Sequence, residues 1–253
     1  MIDSERLPGW MWPVLGIMSV IVGWFVIGVG FGVPNYIAPS PVEVAGVVTR
    51  SWPLLLRNLW PTLQESIAGF TLGNGLAIAT AIVFVHVRSV QRMYFPIATL
   101  FNTVPIIAIS PILVLIFGIG MLSKVIIAAI ICFFPTLVNM IRGFESVSAS
   151  EMELMRVLSA SRREIFFKLR VPRSLPYLFA ALRITSASCV IGAIVGEWIG
   201  STHGIGALIL QATFNYQSGL LYAAICLSSL VAILLFSIVV AIERRVLRWN
   251  RNI

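Results

Sequence analysis

The chain has 253 residues, of which 58% are hydrophobic and only 11% charged, with a mean hydropathy of +0.96. Soluble domains carry roughly a quarter charged residues, and a chain this apolar would expose large adhesive patches in water, so a water-soluble globular protein is excluded. The formal net charge of +8 is gathered in a few loops, which reads as membrane topology rather than as a nucleic-acid surface.

A helix needs about 20 apolar residues to cross the hydrocarbon core. Backbone groups in lipid must be satisfied within the segment, so each crossing is expected to be a helix. Six are expected, over 12–33, 62–86, 94–118, 124–141, 178–200 and 220–242. The first is long for a signal core and lacks a small-residue cleavage site, so it reads as a retained span. After it, Ala38-Pro39-Ser40-Pro41 must be extended or turned, with an interfacial helix expected over 42–56 and Trp52 and Trp60 in an interfacial belt. The second span carries Asn74 between Gly73 and Gly75, and Asn74 either lines a path or packs. The third carries Asn102, Thr103, Pro105, Ser110 and Pro111. Prolines free backbone carbonyls, which membranes tolerate facing protein or a cavity, so this span is either pore-lining or a packed kink.

The inside segment 142–176 is the one extended polar stretch on its side. A helix is expected over 148–158, broken by Ser159-Ala160-Ser161. A cationic amphipathic stretch over 162–170 follows, with Ile165, Phe166 and Leu169 on one face. Pro172 and Pro176 are expected to stop that helix and reset the chain for the fifth span. The segment either rests on lipid headgroups or docks a cytoplasmic partner. On the fifth span Ser186 precedes Gly192, Gly196 and Gly200, whose spacing lets helices approach closely. Glu197 lies nearly four turns beyond Arg183, too far to pair with it within one helix. An acid at membrane depth is a candidate for a gating, structural or substrate-binding role. The outer segment 201–219, with Gly204-Ile205-Gly206, is expected to dip back toward the membrane. Cys132, Cys189 and Cys226 read as packing residues, and His86 and His203 form no metal-ligand pattern.

Lys and Arg set the orientation. With the N-terminus inside, the inner segments hold Arg6, Arg88, Arg92, Arg142, Arg156, Arg162, Arg163, Lys168, Arg170, Arg173, Arg244, Arg245, Arg248 and Arg251. The outer segments hold only Arg50, Arg57 and Lys124, so both termini are expected in the cytoplasm.

The inner loop resembles that of binding-protein-dependent ABC importer permeases, written Glu-Ala-Ala, three residues, Gly, nine residues, Ile, one residue, Leu-Pro. The Glu falls on Glu153, the Gly on Ser159, the Ile on Leu169 and the Leu-Pro on Val171-Pro172, while Leu154 and Met155 replace the alanines. The Pro-Ser-Pro run 39–41, Pro111 with 118–124, Gly196-Glu197, Gly204-Ile205-Gly206 and Glu243-Arg244-Arg245 look like the nitrate, sulfonate and taurine branch. The stretches 174–184 and 192–198 look most like permeases for thiamine-type pyrimidine precursors or riboflavin.

The resemblance implies an all-α integral membrane protein of about six transmembrane helices, a type I importer permease forming one domain over 1–253 in the bacterial inner (plasma) membrane. It implies a permease homodimer, an ATP-binding cassette ATPase dimer holding ATP and Mg, and a substrate-binding protein delivering a small solute. No cofactor is expected in this chain, which has no Gly-rich loop ending in Gly-Lys-Ser or Gly-Lys-Thr. Coupling to the ATPase is expected through Glu145, Glu151, Glu153, Arg156, Ser159, Ala160, Ser161, Arg163 and Pro172. Asn74, Asn102, Thr103, Ser110, Ser186 and Glu197 are the candidates for the translocation path or its gate. The alternative is a secondary transporter or channel subunit, which would need buried acids on several spans, where only Glu197 and Glu65 qualify.

Overall fold

The computed structural model describes residues 11–26 and 34–248, which are helical and contain no strand. Arg6, Arg251 and the end of the expected first span lie outside the described residues. That span begins as α1 (Met11–Phe25).

The Pro-Ser-Pro run is a helix start. Ser40 is extended, its hydroxyl accepts from the Glu43 amide at 3.2 Å, and Pro41 opens α2 (Pro41–Arg50) where no amide donor is needed. The interfacial helix expected over 42–56 is two pieces. The chain breaks at Ser51, and α3 (Trp52–His86) then runs for 35 residues, starting ten residues before the expected second span. Pro53 falls in its first turn, where proline is tolerated, and Pro61 is carried inside the helix.

The expected third span is not one helix. α4 (Arg88–Thr103) and α5 (Ile106–Phe117) meet at 102°. Pro105 disfavours helical backbone at Val104, which is extended at φ −76°, ψ 125°, and Pro105 follows at φ −60°, ψ 125°. Gly118, at φ 81°, closes α5. The next helix, α6 (Met121–Glu145), continues through Pro135.

The segment expected on the inner side holds α7 (Ala149–Val157) and α8 (Arg162–Glu164), followed by a π-helical stretch over Ile165–Arg170 and α9 (Val171–Glu197). Pro172 and Pro176 therefore do not stop the helix as the sequence led us to expect. In the π turn the Val171 amide reaches back to the Phe166 carbonyl, which shifts the bonding register just before Pro172. The last described helices are α10 (Ile205–Phe214), short and apolar, and α11 (Ser218–Val246). By length and composition α3, α6, the run 162–197 and α11 can each cross a membrane, and the bent α4–α5 pair makes a fifth.

The chain divides into two compact units. In the first, residues 1–57 and 208–227, the Trp24 indole donates to the Pro39 carbonyl at 3.1 Å and stacks on Tyr222 at 5.8 Å. In the second, residues 58–207 and 228–253, small residues let helices touch. A Cβ at Gly69 or Gly73 of α3 would collide with Ala128 or Ala129 of α6, and one at Gly192 of α9 would lie 2.6 Å from the Ala128 Cα. Gly192 and Gly196 thus serve packing inside this chain, against α6. Cys132 and Cys189 are free thiols that meet in the core beside Val190 and Val231. A second core gathers Phe84, Leu137, Met140, Phe144 and Phe166.

Candidate functional site

The segment 148–170 is capped at each turn and anchored at one point, while α7 within it carries no buried residue. Ser148 and Glu151 cap the start of α7 reciprocally, Ser148 accepting from the Glu151 amide and Glu151 accepting from the Ser148 amide at 3.0 Å. The other Glu151 oxygen pairs with Arg173 in the first turn of α9, so this acid ties the start of α7 to α9. At the far end Ser159 takes the left-handed conformation, φ 53°. The Ser159 amide donates to the Arg156 carbonyl and the Ala160 amide to the Met155 carbonyl, both at 2.9 Å, the Schellman pattern that ends a helix. Ser161 and Glu164 then repeat the reciprocal cap. Phe166 anchors the next turn, 4.8 Å from the His86 ring and 5.5 Å from Phe144.

What remains outward is Glu153, Arg156 and an apolar stripe. Leu154, Val157 and Leu158, at i, i+3 and i+4, are 59%, 77% and 65% exposed, and α7 has no buried residue. Such an exposed stripe, beside the half-buried Met152 and Met155, is the kind of patch that marks an interaction site. Of the other expected coupling residues, Glu145 accepts from the Gln91 amide at 3.4 Å and Arg163 lies over the Phe167 ring at 5.9 Å. Pro172 is half-buried in the first turn of α9.

A second constellation is buried. Glu197, 1% exposed, accepts from the Thr62 hydroxyl at 2.6 Å and from the Gly206 amide at 2.5 Å. Thr62 accepts in turn from the Ile205 amide at 2.8 Å, and Asn58 from the Gly204 amide at 3.0 Å. Lys124 pairs with Glu65 at 3.3 Å and donates to Ser201 at 2.9 Å. Gly204 sits at φ 115°, and a Cβ there would run into the Glu197 carboxylate. The two acids and the lysine thus clamp the loop after α9 onto α3 and α6, and Glu197 is spent on protein groups.

The remaining path candidates separate by environment. Asn102 and Thr103 are exposed and line a cleft of about 880 Å³ at the α4–α5 bend, walled by Tyr94, Phe101, Pro105 and Phe134. Asn74 lies elsewhere. Its amide donates to Phe70 at 2.7 Å, and its carbonyl accepts from Thr136 at 2.5 Å and Thr185 at 3.2 Å, tying α3, α6 and α9 together. Ser110 and Ser186 are buried, with their hydroxyls on the carbonyls of Ile107 and Arg183 in their own helices.

Sequence reasoning placed Lys124 among outer-loop cations, and the structure buries it at 7% exposure. Asn58 and Thr62 were overlooked. The signal was present, because Asn58, Thr62 and Glu65 recur at i, i+4 and i+7 on one helical face.

Residues 73–248 match the family described as binding-protein-dependent transport system inner membrane component. The chain is 31% identical to the riboflavin transport system permease protein of Chloroflexus aurantiacus, over 95% of this chain and 92% of that protein. It is 32% identical to the formylaminopyrimidine transport permease protein of Halalkalibacterium halodurans, over 95% and 96%. It is 31% identical to a putative aliphatic sulfonates transport permease protein of Bacillus subtilis, over 96% and 89%. In fold it is similar to a chain of the MetNI methionine ABC transporter in an inward-facing conformation. The TM-score is 0.69 at 19% identity, covering 78% of this chain and 98% of that one.

Proposed function

The chain belongs to the family of binding-protein-dependent transport system inner membrane components, and we propose that it is the translocating subunit of an importer powered by a separate ATPase. It is a multi-pass inner-membrane permease of an ABC transporter with the type I fold, and its family is one of transport rather than of catalysis. The finer reading is ours. A solute-binding protein delivers cargo to the outer face, two permease chains enclose the path, and α7 is the handle on which the ATPase pulls.

One observation carries the handle: α7 is fixed at both ends yet shows the uncovered stripe Leu154, Val157 and Leu158. A helix that is ordered and uncovered can transmit force to a span without first paying an ordering cost. Glu153, Arg156 and Arg163 then frame the apolar contact with charge. The distribution of Lys and Arg supports a cytoplasmic position for this segment.

The substrate class we infer is a small heteroaromatic vitamin or vitamin precursor, pyrimidine or flavin, on the strength of the two relatives at 31% and 32% identity. The sulfonate relative at 31% is the competing class.

The test co-expresses the chain with its ATPase and measures co-purification. Leu154→Asp with Val157→Asp places two charges in a contact whose apolar residues are each worth about 1 kcal/mol or more, so recovery of the ATPase should fall at least tenfold. Full ATPase recovery with the double variant would sink the handle.

A further inference from the structure

We propose that the pocket between the inner end of α3, α7 and the π-helical stretch holds the phosphate of an anionic phospholipid headgroup. The pocket encloses about 230 Å³, with Arg162, Arg170 and His86 supplying its polar groups and Val85, Ile165 and Phe166 its apolar walls. Its cations differ from their neighbours. Lys168 is paired with Glu164, Arg173 with Glu151, and Arg163 lies on Phe167, whereas no carboxylate meets Arg162 or Arg170 among the described residues. The Nε of Arg170 is buried with no acceptor. An unsatisfied buried donor on a charged group is costly, and an anion on the accessible part of this half-buried guanidinium offsets that cost.

The His86 ring is held in place at the pocket's edge, its Nδ1 2.8 Å from the Ile82 carbonyl, which can only accept, so Nδ1 carries hydrogen. The height also fits a lipid. His86 is the last residue of the 35-residue helix α3, so the pocket lies where a span leaves the hydrocarbon. Apolar walls beside paired guanidiniums match a glycerol backbone and its phosphate, and basic pockets at this level on the cytoplasmic side bind anionic headgroups. The assignment rests on the cytoplasmic placement of this segment argued above. A carboxylate of the ATPase is the rival occupant, and the apolar wall at the span's end favours the lipid.

The full chain would be purified from vesicles of phosphatidylcholine with one-fifth phosphatidylglycerol, and retained lipid counted by native mass spectrometry through stepwise detergent washing. One phosphatidylglycerol should persist. Arg162→Gln and Arg170→Gln should each weaken its retention about fivefold, the share expected of one basic residue at a headgroup. Arg88→Gln, outside this pocket, should leave retention unchanged. Arg162 is exposed, so its variant reports even if Arg170→Gln misfolds.

Three outcomes overturn the proposal. Phosphatidylglycerol is retained equally by wild type and both arginine variants, or inorganic phosphate binds with the same arginine dependence while no lipid is held. In the third, the variants keep the lipid and lose the ATPase. ATP-dependent uptake by the wild type is scored separately, so failure of the transport reading is not mistaken for failure of the lipid site.

Discussion

Lys124, Glu65 and Glu197 are charged groups on apolar helices, and each is nearly inaccessible. Breaking a buried ion pair by removing one partner typically costs about 3–5 kcal/mol, because the survivor stays buried and uncompensated. Lys124→Met should therefore lower the unfolding midpoint in detergent sharply. Adding Glu65→Gln should recover a good part of the loss, since the double change removes both ends of the 3.3 Å pair. Equal losses for the single and double variants, read by thermal unfolding, would show that the pair is not the unit. Ser159 makes the opposite case. Its φ of 53° costs a side-chain-bearing residue about 1 kcal/mol, and the family pattern it resembles places glycine there. Ser159→Gly should hold or raise the unfolding midpoint, and Ser159→Val, with a branched Cβ, should lower it. A midpoint lowered by the glycine would mean that the serine hydroxyl matters more than the backbone.

At the scale of elements, α6 is the helix the others pack on, and glycines set the distance. Gly192→Leu forces a side chain against the Ala128 backbone, where the nearest atom already lies 2.6 Å from a Cβ. Overpacking of this kind costs about 1–3 kcal/mol or more, so the variant should lose folded yield in size-exclusion chromatography. Gly75→Leu on α3, with open space at its Cβ, should not. If both behave alike, close approach of α9 and α6 is not the constraint. Much of this level was legible in the sequence: apolar length marked the long helices, and Ser159-Ala160-Ser161 marked the break before 162. The rest was hidden because Pro172 and Pro176 were read as stop signals and Pro105 as a kink within one span. Pro172 follows a π turn that shifts the bonding register at the start of α9 and Pro176 is carried inside that helix, whereas Pro105 produces the 102° bend by restricting Val104. Which case applies depends on tertiary support, and spacing alone does not carry that. The same holds for Lys124, whose partners come from α3 and from the loop after α9.

For the molecule as a whole, the decisive matter is where driving energy enters. An ion-gradient transporter needs titratable groups along its path. Here one Glu65 oxygen pairs with Lys124 while the other is buried without a partner, and Glu197 is held by the Thr62 hydroxyl and the Gly206 amide. The cleft at the α4–α5 bend is lined among the described residues by no carboxylate, Lys, Arg or His; its polar side chains are Thr80, Tyr94, Asn102, Thr103 and Ser188, set in apolar walls. That lining is in keeping with the proposal that driving energy arrives mechanically, from a separate ATPase. If the bend at Val104-Pro105 borders the path, exposure at Asn102 should follow the state of the motor, whereas exposure at Asn74, whose amide is bonded to α3, α6 and α9, should not. The measurement is thiol labelling of the assembled transporter. Cys132 and Cys189 are buried and Cys226 is half-buried, so a Cys226→Ser background is nearly silent. In it Asn102→Cys should react with a polar maleimide at a rate that changes severalfold when ATP is added with the ATPase, and Asn74→Cys should stay unlabelled. A rate at Asn102→Cys that is indifferent to ATP would place this cleft against lipid and move the path elsewhere in the bundle.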